Sequence, residues 1–396
     1  MAAKILIVRW TGSAYDSLGG LLELTAQELA AEGAEVVVLP AEGPDMAQRV
    51  VEVARDGGFT FALTMSGIGS DIFIERQLAW EALKLPLFNW SCDHACYFPS
   101  RHALRSRYLL HGYVFPDHAR YNVAHLSPNG AAFSVHVGIP PRTVFPGAPL
   151  PAARRNGRLV YFKSCADTNA IEANWRARNG PVLQRLLFSA AEELFHRSTG
   201  DFLPVLQRLG EPLGLALDGA NVLALALIRE LDAYIRHRRS NLLITALLNH
   251  PVDVFGVGWD HIPWSTGRGA AYRGVATWRS FVSELPRYLG CLSTNPLVED
   301  SVHDRVFFAL AAGVPPVSDA NRFSRAHMPA LSPYHFDFRP ARIVATADAV
   351  LANPEEAVAR TEATHAAMLP AFAMRRSAQQ LLQFAGLYTV NARFGQ

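Results

Sequence analysis

Apolar positions along the chain fall into short unbroken runs, separated by longer stretches in which they recur every three or four residues. Ile5-Leu-Ile-Val8 is the first run, and Val36-Val-Val-Leu39, Phe59–Met65, Leu85–Asn89, Gly112–Phe115 and Phe133–Val137 repeat it. Short runs that are apolar on both faces predict strands buried in a parallel sheet. Between them, Leu21–Ala31, Met46–Asp56 and Phe73–Leu83 carry the helical period. Strand and helix in alternation predict a doubly wound α/β sheet, which binds ligands at the carboxyl ends of its strands. Gly12, Ser13, Gly67, Gly69 and the segment after Asn89 are therefore expected around one crevice. The glycines do not follow the G-x-G-x-x-G spacing of a dinucleotide loop, and a tight turn explains them equally well.

The pattern then breaks and restarts. Ile139 to Pro151 holds five prolines, at 140, 141, 146, 149 and 151, and reads as a linker. Arg158–Lys163 resumes as a strand. Residues 170–237 are mostly helical, with breaks near Gly180, Gly200 and Gly210–Pro212. Val252–Phe255 and Tyr288–Ser293 are further strands, and Pro370–Leu387 is an amphipathic helix. Two Rossmann-like lobes with a cleft between them are expected: residues 1–150, residues 151–369, and a terminal segment 370–396.

Charge and composition narrow the picture. Of 396 residues half are apolar and the net charge is +2, so bulk charge gives no sign of a nucleic-acid partner. Four scattered cysteines (Cys92, Cys96, Cys165, Cys291) make no disulfide framework. With no signal-peptide layout at Met1–Trp10, they point to the cytoplasm. The stretch Leu213–Ile228 is interrupted by Asp218 and Asn221 and is too short to span a bilayer.

The densest chemistry lies between Leu292 and Asn321. Ser301 and Asp304 have capping-box spacing, Val302, Val306, Ala309 and Leu310 share a helical face, and Gly313 stops the helix. His303 and Arg305 fall in the first turn, where a cation normally costs about 0.3–1 kcal/mol. A phosphate held at the helix start would explain them, and so would a solvated Arg–Asp pair. A second dense segment is Asn89–Pro99. Cys92, His94 and Cys96, with His102, do not have the spacing of a zinc site. Asp93 and His94 read better as a general-base pair, or as a satisfied loop pair. Arg236-His-Arg-Arg239 is a basic cluster expected at a helix end, where phosphate or peripheral membrane contact is the sharper reading and the helix dipole the blander one.

The run Arg305-Val-Phe307-Phe-Ala-Leu310-Ala311-Ala-Gly313, followed by a strand ending Ser318-Asp319, resembles the donor half of GT-B glycosyltransferases, in particular the CgeB-like, group 1 branch. Phe255-Gly-Val-Gly-Trp259 resembles the turn of the same enzymes, and Gly274–Trp278 their next strand. The resemblance covers residues 155–340 well and the first 150 loosely. It implies transfer of a sugar from a nucleotide-sugar donor (UDP, GDP or TDP) to a hydroxyl of a glycan, protein or small-molecule acceptor in the cleft, without a metal. Arg305, His303 and the helix start would hold the diphosphate. Gly256 and Gly258 would approach the donor, and Asn295, Asp319 and Asn321 would meet sugar or ribose hydroxyls. Asp93 or His94 would serve the acceptor if configuration inverts. It also implies that the C-terminal helix packs on the first lobe. One position departs: relatives carry Glu where this chain has Phe308, leaving Glu299 or Asp300 as the acidic partner. An isomerase or phosphorylase on this architecture, or a lobe pair that binds without turnover, are the alternatives. The oligomeric state is left open.

Overall fold

The computed structural model describes residues 2–10, 12, 15–127 and 132–394. The chain forms two compact units, Met1–Gly138 with Phe372–Gln396, and Ile139–Ala371. Each is built on a six-stranded sheet in which every pairing is parallel.

The strands of the first unit are β1 (Lys4–Trp10), β2 (Glu35–Ala41), β3 (Phe61–Met65), the hairpin β4 (Phe73–Ile74) and β5 (Gln77–Leu78), β6 (Leu87–Ser91), β7 (Leu109–Tyr113) and β8 (Ala132–Ser134). The sheet order is β2-β1-β3-β6-β7-β8. Ile5 to Val8 are wholly buried between Val36–Leu39 and Phe61–Thr64. That is why β1 is apolar on both faces. The helix expected over Phe73–Leu83 is instead this hairpin followed by one short helix, Ala79–Ala82. Glu75 turns the hairpin with a φ of 53°, which no helix tolerates. Trp80, 1% exposed, is anchored by its indole N–H on Gly69 O at 2.7 Å.

The expected C-terminal helix is two helices, Pro354–Phe372 and Met374–Phe394. The second packs within the first unit. Arg375 pairs with Glu32, Gln379 donates to Glu32 (3.0 Å), and Phe384 stacks on Phe133 at 4.7 Å. Gly138, with a φ of 83°, lies where a Cβ would come within 2.8 Å of Met374 Cα.

The second unit contains β9 (Leu159–Phe162), β10 (Val252–Phe255), β11 (Ala271–Tyr272), β12 (Gly290–Ser293), β13 (Pro316–Asp319) and β14 (His335–Phe336), in the order β11-β10-β9-β12-β13-β14. The winding reverses between β9 and β12, so the crevice of a doubly wound sheet falls at their carboxyl ends. Four helices separate β9 from β10: Thr168–Arg178, Pro181–Phe195, Phe202–Gly210 and Val222–Ala246. Asp167 and Asn221 cap two of them through their side chains, and proline opens the second. The proline-bearing segment 139–151 lies in this unit. Arg155, 8% exposed, ties it down by donating to Leu150 O (2.7 Å), Gly313 O (2.8 Å) and Tyr288 O (3.0 Å).

Candidate functional site

The reversal point of the second sheet gathers a cationic cluster. Lys163 follows β9, and its Nζ donates to Thr294 Oγ1 at 2.7 Å, just past β12. Tyr161 OH lies 2.9 Å from both Thr294 Oγ1 and Ser240 Oγ. Ser240 spends its one proton on Arg236 O at 2.8 Å. The Tyr161 hydroxyl must then donate to Ser240, and Thr294 to Tyr161. The network therefore runs one way, from the ammonium of Lys163 into the helix Val222–Ala246. Burial, with the charges of Arg305 and Arg236, holds the Lys163 pKa well below the ordinary lysine value.

Arg305 stands beside it. Its Nη1 donates to Phe162 O at 2.8 Å, and the guanidinium lies 5.9 Å from the Tyr161 ring centre. Nε and Nη2 are buried and have no hydrogen-bond partner among the described residues. A buried guanidinium with idle donors is expensive unless a ligand fills them. The helix it opens spans Asp304–Ala311, and its N-cap is His303 rather than Ser301. His303 Nδ1 accepts from the Arg305 N–H at 3.3 Å and abuts Asp304, whose Oδ1 also accepts that N–H at 2.8 Å. Burial and the Arg305 charge push the His303 imidazole down to about 4, so it is neutral near pH 7 and caps rather than charges the helix. Burial alone would raise the Asp304 carboxyl; His303 and Arg305 outweigh it and hold it at about 2.

The neighbouring polar residues brace this site. Asn295 Nδ2 donates to Asp319 O (2.9 Å), its N–H to Asp319 Oδ1 (2.7 Å), and its Oδ1 accepts from the His303 N–H (2.9 Å). These bonds lock β12, β13 and the helix start together. Asn321 makes a capping box with Ser324 and donates to Val298 O and Ser301 O. Glu299 accepts from the Arg322 N–H at 2.8 Å, and Asp300 is paired with the Arg322 guanidinium. Phe308, 1% exposed, is packed by Phe145, Trp278 and Phe281.

The glycine turn after β10 has a structural cause. A Cβ at Gly256 (φ 138°) would lie 2.2 Å from Lys163 O, and one at Gly258 (φ 79°) 2.2 Å from Cys165 O. These glycines let the backbone meet the chain that carries Lys163, and the Trp259 indole donates to Lys163 O at 2.7 Å. Sequence reasoning missed Lys163, although it closes a buried strand and is one of three lysines among 37 Lys and Arg residues.

Arg236–Arg239 sits midway along Val222–Ala246, not at its end. Arg236 pairs with Asp232, Arg238 with Glu192, and Arg239, 1% exposed, donates to Phe195 O. The three arginines are thus engaged within the unit, and the mid-helix position removes the helix-end basis for a membrane-facing patch. Among the described residues no helix is long and apolar enough to cross a membrane.

In the first unit, Asn89, His111 and Tyr113 lie on β6 and β7, and Asp93, His94, His102 and Asn122 on the segments that follow those strands. Tyr113 OH lies 2.7 Å from His102 Nδ1 and accepts from Asn122 Nδ2 at 2.8 Å. His94, 5% exposed, lies against Tyr121 and His118. Its Nδ1 accepts the Cys96 N–H at 3.2 Å, which leaves the proton of the neutral ring on Nε2. Asp93 beside it is half-buried. Among the described residues no group of three or more His, Cys, Asp or Glu is placed to hold a metal ion. Gly12 lies past β1 against the Trp10 ring, and Ser13 lies outside the described residues.

No family model matches this chain, and no curated protein matches it. Solved structures do. An alpha-glucosyltransferase in complex with UDP-glucose and DNA containing an abasic site has a TM-score of 0.58 at 8% identity, covering 97% of this chain and 99% of that one. The alpha-glucosyltransferase in complex with UDP has a TM-score of 0.56 at 8% identity, covering 98% and 100%. Sucrose-phosphate synthase from Thermosynechococcus elongatus has a TM-score of 0.54 at 11% identity, covering 98% and 99%. The chain has the GT-B fold of these glycosyltransferases, two Rossmann-like α/β lobes, and the likeness is one of fold.

Proposed function

We propose that this chain is a glycosyltransferase whose second unit binds the diphosphate of a nucleotide-sugar donor, UDP-, GDP- or TDP-linked. One observation carries the reading: the idle, buried Nε and Nη2 of Arg305 beside Lys163, at the reversal point of the sheet. The bond that breaks joins the sugar C1 to the diphosphate oxygen, and negative charge grows on the leaving group. Arg305 and Lys163 would stabilise that charge, the service a metal ion gives in other transferases. The two glucosyltransferase structures are complexes with UDP-glucose and with UDP, in agreement with a uridine donor.

The first unit is proposed to serve an acceptor hydroxyl of a glycan, protein or small molecule. Asp93 takes the acceptor proton as the new C1–O bond forms, and His94 orients it, because the Nδ1 of His94 is already engaged by Cys96. The reaction is placed in the cytoplasm and without nucleic acid as acceptor. Phe308 favours a second reading, a donor-binding protein without turnover, since a ring stands where relatives carry a carboxylate. Calorimetry with UDP, GDP, TDP and ADP, followed by hydrolysis assays with the matching nucleotide-sugars, separates the two. Binding with turnover supports the transferase, binding without turnover the second reading, and no binding at millimolar nucleotide overturns both.

A further inference from the structure

A second basic pocket lies in the same unit, at the carboxyl ends of β13 and β14. It is a cavity of about 490 Å³ lined by His196, Arg197, Ser198, Asp319, Ala320, Arg325, His335, Phe336, Asp337, Phe338, Arg339 and Arg342. Its volume suits a small organic ligand. Its floor is buried: Phe336 is 2% exposed, Asp319 5%, Phe338 7% and His335 8%. Its rim is arginine, with Arg325 at 59% and Arg339 at 69% side-chain exposure.

Three features converge on an anion. The Nε2 of His335 is buried and has no hydrogen-bond partner among the described residues. Burial and the Arg325 charge push that imidazole down to about 4, so it is neutral near pH 7 and offers a donor or an acceptor without a charge of its own. The helix Pro340–Ala352 begins at the pocket with no side-chain cap; Pro340 has no N–H and the Arg342 N–H donates to Arg339 O at 2.9 Å, so it is the helix dipole rather than a row of open donors that favours an anion there. The exposed guanidinium of Arg342, in the first turn, makes no hydrogen bond or salt bridge among the described residues, and acts on Asp337 only at longer range.

The opposing charges are few and mostly spent. Asp337 is paired with Arg339, Glu193 with Arg197, and Glu299 lies 4.0 Å from Arg325. Asp319 gives one oxygen to the Asn295 N–H. Behind the wall, Arg239 stacks on Phe338 at 4.4 Å and keeps a buried, unpartnered Nη1.

We propose that this pocket binds a phosphate monoester or free phosphate, with the dianion on Arg342 at the positive end of the helix and with His335 Nε2 beneath it. The site is built on residues other than Lys163 and Arg305, although Asp319 lines it and also braces the donor site, and it does not depend on that assignment. Phosphate chemistry suits it because a dianion both satisfies the Arg342 guanidinium and complements the helix dipole.

The test titrates inorganic phosphate and glucose 6-phosphate into the full chain, into Arg342→Ala and into Arg305→Ala. Arg342 is exposed, so its loss leaves the core intact. Arg342→Ala is expected to weaken phosphate binding roughly tenfold or more, as loss of a charge-assisted contact should, while Arg305→Ala leaves it unchanged. Tighter binding of glucose 6-phosphate than of phosphate identifies a phosphorylated sugar as the ligand, and equal binding identifies the free ion. No binding at millimolar concentration, unchanged binding in Arg342→Ala, or loss in Arg305→Ala overturns the proposal. UDP titrated into the same three proteins reports on the donor reading separately, because its binding is expected to follow Arg305 and not Arg342.

Discussion

Lys163 is the residue on which charge and geometry press hardest. Its ammonium heads a one-way network through Thr294, Tyr161 and Ser240, yet Arg305 and Arg236 stand near it and burial disfavours its charge. An arriving diphosphate reverses that balance. It favours the protonated amine, so the Lys163 pKa is higher in the complex than in the free protein. The sign follows: nucleoside diphosphate binding takes up a proton, and affinity falls as pH rises from the depressed free value towards the ordinary 10.5. Calorimetry at several pH values up to about 10.5, in buffers of different ionisation enthalpy, measures the uptake directly, and binding without uptake at any of them would place the phosphate elsewhere. Lys163→Ala should abolish the uptake. Lys163→Ala and Arg305→Ala should each weaken UDP by about 1.5–3 kcal/mol, the range for hydrogen bonds to charged groups. Thermal unfolding of the same variants distinguishes a lost contact from a lost fold.

At the scale of elements, the helix Asp304–Ala311 shows how a site is placed and where it departs from the glycosyltransferase pattern it resembles. Phe308, expected at the position of a ribose-binding carboxylate, is enclosed by Trp278 at 5.1 Å, Phe281 at 5.8 Å and Phe145 at 6.0 Å between ring centres. A carboxylate there would be buried among rings without a partner. Phe308→Glu should therefore destabilise the protein by at least the ~3–5 kcal/mol typical of Phe→Ala in a core, with no gain in UDP affinity. Urea unfolding and calorimetry check both halves, and a tighter nucleotide complex at unchanged stability would mean that the ring occupies a working ribose site. The strands around this helix were legible, because parallel strands buried on both faces are written as unbroken apolar runs. The helices between β9 and β10 were legible too, since Gly180, Gly200 and Gly210 mark their breaks. Phe73–Leu83 was not: its apolar spacing suits a helix, but the left-handed Glu75 and the anchoring of Trp80 on Gly69 are tertiary facts. Lys163 was readable as the end of a buried strand. Its partner Thr294, 131 residues further on, was not, because only the sheet order brings β9 and β12 together.

Across the whole molecule, both units bury histidines that are neutral near pH 7. Burial pushes His102 down to about 3 and His111 to about 4 in the first unit, and His237, His303 and His335 to about 4 in the second. In the unfolded chain each binds a proton near 6.5. As pH falls through that value, the unfolded state takes up protons that the folded state refuses, so stability drops until the folded values are reached. The loss should begin near 6.5 and continue to about 4, well before Asp304, held at about 2, begins to lose its charge. A protein stabilised mainly by surface ion pairs would hold steady over that interval, because its carboxylates titrate lower. The measurement is the thermal midpoint from pH 8 to pH 4 at constant ionic strength. It is expected to be level above pH 7 and to fall progressively below 6.5. His102→Gln should reduce the fall, because it removes the most strongly shifted of the five, although it also loses the bond to Tyr113 and lowers the midpoint at pH 8. A midpoint that stays level down to pH 4.5 in the parent chain would mean that these imidazoles reach water far more readily than their burial implies.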